Sequence, residues 1–586
     1  MVKRLVFSLI AYAPFFAFAQ SSYADFPDLD SVLNQFCSTY SGQPTSYLQF
    51  EKRPNGWWVS EVNYSNLEKV KSEHYWSQEL NVFKEISFPI LENIKFHFGL
   101  HGELKQRHPE HLFRSNIFYG YVGWENDVIE TFEKKKGLSN EELYALGRAY
   151  SSLATGYLFN NSEFANSENI FEFKSGGNSL SKAQIATYTK ARKNAIKHYE
   201  LINSKDPNFE TIVGSINTKV SNGYLTAYLD LLIYQNKEEA LKFLNANLYD
   251  DYNISAAKNY LSSCPLNAIL FTYGDNDTYP LLYVQEQLGF RKDVKVINLN
   301  LLNNVAYMDM LKREGIEFKT KLSIFDNEAR PYFQVINQGF EVSIDDLIEY
   351  AADDKNTQEY NGSTVHTVYG DYYNVADLFS FRANKSYLTR SDLILYDIIN
   401  TNFWDRPICF GFGVEPRSFA GLQDHCKLQG FVYQLTPYKK QDYNGTGYID
   451  APQQLFNKLT LELDWSSIKH IHQVEKSQLW NQRQLFFRLA KYYDDSTGSD
   501  SAKIVIEFAN KVIPNKSCPY LLNGVRFTQI LFNAGEKAKA LEMADVTLQN
   551  LDNELNDLKA LNQNPSYILS QKQLLESILD YYGKDD

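Results

Sequence analysis

Between Asn267 and Asn304 an apolar run, Ala268 to Tyr273, gives way to the polar turn Gly274-Asp275-Asn276-Asp277. A short helical stretch opened by Pro280 and closed by Gly289 follows, and then a second apolar run, Val294 to Leu299. Two strands joined through a helix over so few residues lie parallel, with a right-handed crossover. No other stretch constrains the fold as strongly, because it demands a sheet with at least two parallel strands. The turn after the first strand then falls at the carboxyl edge of that sheet, where α/β folds bind ligands. Asp275 and Asp277 therefore stand where a site would be.

Two readings of this triplet are open. Asp277 or Thr278 caps the helix while Asp275 and Asn276 hold the turn by side-chain to backbone bonds. Alternatively Asp275, Asn276 and Asp277 face a ligand, or the two carboxylates hold a hard divalent cation, which takes oxygen ligands. A second polar concentration comprises Arg390, Asp392, Asp397, Asn402, Trp404, Asp405 and Arg406, around a helix read from Ser391 to Asn400 and before a strand from Ile408 to Phe412. Its residues either tie a helix end to the sheet or meet the turn, with Asn402 and Arg406 joining Asp275 and Asp277 in recognition of a sugar or a peptide terminus.

The rest of the chain divides by pattern. Met1 to Ala19 carries Lys3 and Arg4, then an apolar core and small residues, the form of a secretory signal peptide. Residues 20–78 read as a small strand-bearing module, with Pro54-Asn55-Gly56 as a turn and Trp57 and Trp58 as core or carbohydrate platform. Residues 79–255 are helical and loosely repeat-like, with a capping box at Ser139-Asn140-Glu141-Glu142. In this region His97 and His101, four residues apart, either share a metal or are surface histidines, and the HExxH order that would place a general base is missing. Residues 256–440 form the α/β module. Residues 441–586 are helical again, and segments opening Ser501-Ala502-Lys503 and Lys537-Ala538-Lys539 resemble tetratricopeptide repeats. The fold class expected is α/β plus α.

A formal net charge of −13 excludes the usual nucleic-acid binders, which cluster Lys and Arg against phosphate. Five cysteines without a CxxC pair exclude zinc ribbons and thioredoxin-like motifs. Cys409 and Cys426 are either free and buried or a disulfide. No Walker loop, nucleophile elbow or dinucleotide fingerprint is present.

The runs GDNDTYPLLYVQEQLGFRKDVKVINLNLLN, YLTRSDLILYDIINTNFWDRPICF and GFVYQLTP, in this order and before a helical tail, resemble the soluble C-terminal region of a bacterial family of polytopic membrane proteins. The membrane half of those proteins is similar to protein O-mannosyltransferases. The resemblance runs from about Tyr260 to the C-terminus and implies an envelope location and a link to glycan transfer. The multi-span portion has no counterpart here, so transferase chemistry seated there does not carry over. The reading expected is an exported recognition or scaffold protein of the bacterial envelope, more binder than enzyme, with a protein or glycan partner, no nucleic acid and no cofactor beyond an optional divalent cation. The alternative is a divalent-metal-dependent glycan-processing enzyme using Asp275 and Asp277.

Overall fold

The computed structural model describes residues 124–158, 180–325, 332–360, 363–440, 445–460, 472–496, 498–560 and 564–583 as continuous stretches, with shorter ones between 26 and 91. Met1 to Ala19 and both His97 and His101 lie outside the described residues. The chain falls into two compact units, residues 1–98 with 116–130, and residues 99–115 with 131–586. Its mixture of mixed sheets and helical layers is the expected α/β plus α class. Among the described residues no helix is long and apolar enough to cross a membrane.

In the first unit β1 (Tyr47–Arg53), β2 (Gly56–Val62), β3 (Lys69–Ser77) and β4 (Val82–Phe83) form an antiparallel meander. Strand alternation separates the two tryptophans. Trp57 and Val59 are buried, whereas Trp58 stacks on His74 with ring centroids 4.9 Å apart and lies 4.4 Å from the Arg53 guanidinium. Neither ring is the open carbohydrate platform that the sequence allowed.

The second unit begins with α1 (Asn140–Leu158), α2 (Lys182–Lys205), the short hairpin β5 (Glu210–Thr211) and β6 (Gly214–Ser215), and α3 (Ile216–Ile233). Ser139 and Glu142 form the expected reciprocal box: the Glu142 amide donates to Ser139 Oγ at 3.2 Å, and the Ser139 amide to Glu142 Oε2 at 2.9 Å. Helix α4 (Asp251–Ser263) leads into β7 (Ile269–Thr272), α5 (Asp275–Leu288) and β8 (Lys295–Asn298), the parallel unit read from the sequence.

After α6 (Val305–Arg313) the chain builds two small sheets where only extended stretches and loops were expected. These contain β9 (Tyr332–Ile336), β10 (Glu341–Ser343), β11 (Thr357–Tyr360), β12 (Ser363–Tyr369), β13 (Tyr372–Val375), β14 (Phe379–Arg382) and β15 (Tyr387–Thr389), with α7 (Ile344–Ala352) after β10. Helix α8 (Arg390–Asn402) returns the chain to the first sheet as β16 (Ile408–Gly411), followed by β17 (Cys426–Gln429) and β18 (Val432–Leu435).

The central sheet has the order β8-β7-β16-β18-β17, its first three strands parallel and its last two antiparallel. Strand β7 is buried along its whole length, so its sequence ILFT is uniformly apolar before Thr272 instead of alternating. Leu270, Cys409 and Val432 of the sheet pack with Ala257, Leu261, Leu281 and Val284 of α4 and α5. Cys409 and Cys426 are free thiols with β18 lying between their strands. Two strand spacings of about 4.8 Å put them beyond disulfide reach.

The C-terminal helices are α9 (Gln473–Ser496), α10 (Ser499–Val512), α11 (Leu522–Asn533), α12 (Lys537–Ala560) and α13 (Ser566–Tyr582). Both segments with like openings start helices. Arg483 of α9, fully buried, donates to the carbonyls of Ile513 at 2.8 Å and Cys518 at 2.7 Å and so fixes the turn after α10.

Candidate functional site

The helix after β7 starts at Asp275, five positions before Pro280, and this changes the geometry of the triplet. Gly274 precedes it at φ 83°, a left-handed conformation that glycine adopts without strain. No side chain caps this end. The turn is closed from behind instead. Thr278 Oγ1 donates to the Gly274 carbonyl at 2.7 Å and meets Thr272 Oγ1 at 2.8 Å, and the Asn298 amide donates to Thr278 Oγ1 at 2.9 Å. The capping role read for Asp277 or Thr278 is therefore corrected: a buried Thr-Thr-Asn cluster holds the turn and leaves the carboxylates free of that duty.

Residues two apart on a helix lie about 200° apart around its axis and do not face each other. Asp275 reaches toward Lys219, Tyr279 and Arg192 and keeps contact with water. The crowding of side chains pushes its carboxyl above the ordinary range, against the pull of Lys219 and then Arg192. Asn276 is a peg: its amide donates to the Val213 carbonyl at 2.9 Å and accepts from Asn222 Nδ2 at 2.9 Å, tying α5 to the β5–β6 turn and α3. Asp277 has no hydrogen bond or ion pair with any described residue, and burial alone pushes its carboxyl up to about 7.

What surrounds Asp277 is a crevice at a reversal of strand order. The chain leaves β7 toward β8 on one side, and leaves β16 toward β18 on the other, so a gap opens between their carboxyl ends. Gly413, just past β16, lines this gap against Asp277. A Cβ there would lie 2.0 Å from Asp277 Oδ2. The resulting cavity of about 60 Å³ is walled by Tyr252, Tyr260 and Phe412 and fringed by the amides of Gln478, Asn481 and Gln482 from α9. Space of this size holds roughly four waters, or one polar group of about as many heavy atoms.

Asn402 and Arg406 are elsewhere. Asn402 Nδ2 donates to the carbonyls of Glu317 at 2.7 Å and Ile398 at 2.8 Å. Arg406 donates from Nε to the Asn267 carbonyl at 2.8 Å and from Nη2 to the Asp293 carbonyl at 3.3 Å, stapling the starts of β7 and β8. Both occupy the amino edge of the sheet, opposite Asp275 and Asp277, so the four do not converge. Among the described residues no group of three or more His, Cys, Asp or Glu is placed to hold a metal ion. The divergence of Asp275 and Asp277 also removes the shared two-carboxylate site that a divalent cation would use.

Sequence reasoning missed Gly413, Tyr252, Tyr260 and the α9 amides. A faint signal existed in Gln478, Asn481 and Gln482, whose i, i+3, i+4 spacing puts three amides on one helical face. Gly413→Ala tests the close approach directly. With Asp277 retained it is expected to destabilise by about 1–3 kcal/mol, the usual range for overpacking. In an Asp277→Gly background the same change is expected to be close to neutral, a coupling of about 1 kcal/mol or more in urea titrations of the four proteins. Additive effects would mean that the two residues do not touch.

A model of a TMEM260-associated domain, the second of that name, matches residues 253–368 and 354–453. The matched stretch holds α4 from Asn253 onward, the whole central sheet, the two small sheets and α8, hence Asp275, Asp277 and Gly413. It stops before α9, so the helical tail, included in the resemblance read from the sequence, lies outside it. No curated protein and no solved structure matches the chain.

Proposed function

We propose that this chain is an exported recognition protein of the bacterial cell envelope, working in glycoprotein or envelope-complex biogenesis. On this reading its crevice at Asp277 reads one small neutral polar group projecting from a glycan or protein partner. The observation that carries it is the unpartnered Asp277 carboxyl, aimed into a crevice of aromatic rings and side-chain amides. A carboxyl that titrates near neutrality both donates and accepts, which matches a hydroxyl or an acetamido group, and the flanking amides offer the same pair of functions. Aromatic walls favour the apolar side of such a group. The match to a TMEM260-associated domain supports placing the chain beside the O-mannosyltransferase-like membrane proteins that its motifs resemble. Helical hairpins on either side of the α/β module supply surface for a larger partner.

The test follows the Asp277 carboxyl by carbon NMR in protein labelled at aspartate. Methyl N-acetylhexosaminides are expected to move its titration midpoint away from about 7, and Asp277→Asn to abolish the binding. A midpoint indifferent to these glycosides would sink the reading. A midpoint driven down by Ca²⁺, Mg²⁺ or Mn²⁺ would instead establish the metal-dependent alternative, since a bound cation favours the ionised form.

A further inference from the structure

We infer that the α/β module carries a second ligand site, on the other side of the same sheet edge, that takes a neutral polyhydroxylated ligand, a hexose unit of a glycan. The inference stands on this cleft's own residues and not on the Asp277 crevice. Its volume is about 450 Å³, several times that of the crevice and within the range of small-molecule sites. The floor is Tyr273 and Leu299, the residues that follow β7 and β8, and one wall is the edge strand β15 with Tyr387, half of whose surface is exposed.

Charge and hydrogen bonding decide the ligand class. Lys385 pairs with Asp392 at 2.6 Å and Arg417 with Glu415 at 2.7 Å, so both cations that border the cleft already have a carboxylate partner and an anion would have to compete with it. Asn300 and Asn384 line it, and no hydrogen bond with a described residue occupies either side-chain amide. Each amide offers donors and an acceptor together. A carboxylate or a phosphodiester has no use for the acceptor, whereas a hydroxyl uses both functions, and neighbouring hydroxyls of a sugar ring present them in series. Asn303 and Ser391 frame the pair rigidly: Asn303 Oδ1 accepts from the Ser391 amide at 3.2 Å, and Ser391 Oγ donates to the Leu299 carbonyl at 2.8 Å. The Tyr387 ring is the available face for the apolar side of a pyranose.

Saturation-transfer NMR on the full chain tests this, with methyl hexosides as probes and inorganic phosphate as the anionic comparison. Asn300→Ala with Asn384→Gly removes both amides. Glycine keeps the left-handed backbone at position 384, where φ is 52°, and both positions are exposed, so the fold is retained. Transfer to the ring protons of at least one hexoside is expected, with Kd weakened about tenfold or more in the double variant and unchanged in Asp277→Asn. Absence of transfer to every hexoside, equal binding by the double variant, or phosphate binding that Arg417→Ala removes would each overturn the assignment.

Discussion

Asp277→Asn is expected to make the protein more stable at pH 8 and to leave its stability at pH 4 almost unchanged. The folded-state carboxyl titrates at about 7, raised by burial from its ordinary value of 3.8. Below the unfolded value both states hold the proton and the group contributes nothing. Between the two values the folded chain holds a proton that the unfolded chain has lost, so stability falls as pH rises and the loss is complete above about pH 7. At about 1.4 kcal/mol per pH unit this reaches on the order of 4 kcal/mol as a ceiling, reduced by the contact that the carboxyl keeps with its cavity. Asparagine keeps the shape and needs no proton. Glu475 has the same sign, since burial also pushes its carboxyl up to about 7 from 4.5. Wild type should therefore lose more stability from pH 5 to pH 8 than Asp277→Asn does, and Glu475→Gln added to it should shallow the slope further, leaving the part due to the raised carboxyls of Asp230 and Asp275. Urea midpoints at both pH values check this. Equal slopes in wild type and Asp277→Asn would show that Asp277 is solvated and ionised, and the crevice would lose its defining group.

The parallel unit was legible because its signals are local: an apolar run, a Gly-Asp turn, and a glycine closing a short helix. The start of α5 was not, because the bonds that close the turn come from Thr272 and from Asn298, twenty residues past Thr278, and not from a cap in the triplet. This one shift of the helix start separated Asp275 from Asp277. The grouping of Asn402 and Arg406 with them failed on a point the sequence already held. Residues that precede one parallel strand and residues that follow another lie at opposite edges, and Arg406 precedes β16 as Asp275 follows β7. The amides of α9 come from 200 positions away, and no periodicity announces which face of the sheet such a helix will cover. Gly413 was visible only as a glycine after a strand, a hint of close approach with no partner named.

The largest stability loss is expected from Arg192→Met, at a polar network that adjoins the turn from the helical side. Arg192 donates from Nη2 to Asp230 Oδ2 at 3.1 Å and from Nη1 to Ser151 Oγ at 2.7 Å, while the Tyr188 hydroxyl donates to Asp230 Oδ2 at 2.5 Å. Asp230 is buried, and burial holds its carboxyl above the ordinary range against the pull of Arg192. Methionine fills the same space and strands that carboxyl, a loss of about 3–5 kcal/mol at neutral pH for breaking a buried pair from one side. Asp230→Asn in the same chain should recover most of it, because an amide has no charge to strand. Acid should shrink the Arg192→Met deficit for the same reason. The network also separates the two aspartates of the turn. Arg192 is among the charges that lower the Asp275 carboxyl, whereas Asp277 owes its shift to burial alone. Carbon NMR of Arg192→Met should therefore show Asp275 titrating at higher pH and Asp277 where it was. Movement of both together would mean that the two carboxyls share one environment after all, and would return the turn to the two-carboxylate metal site that its sequence first suggested.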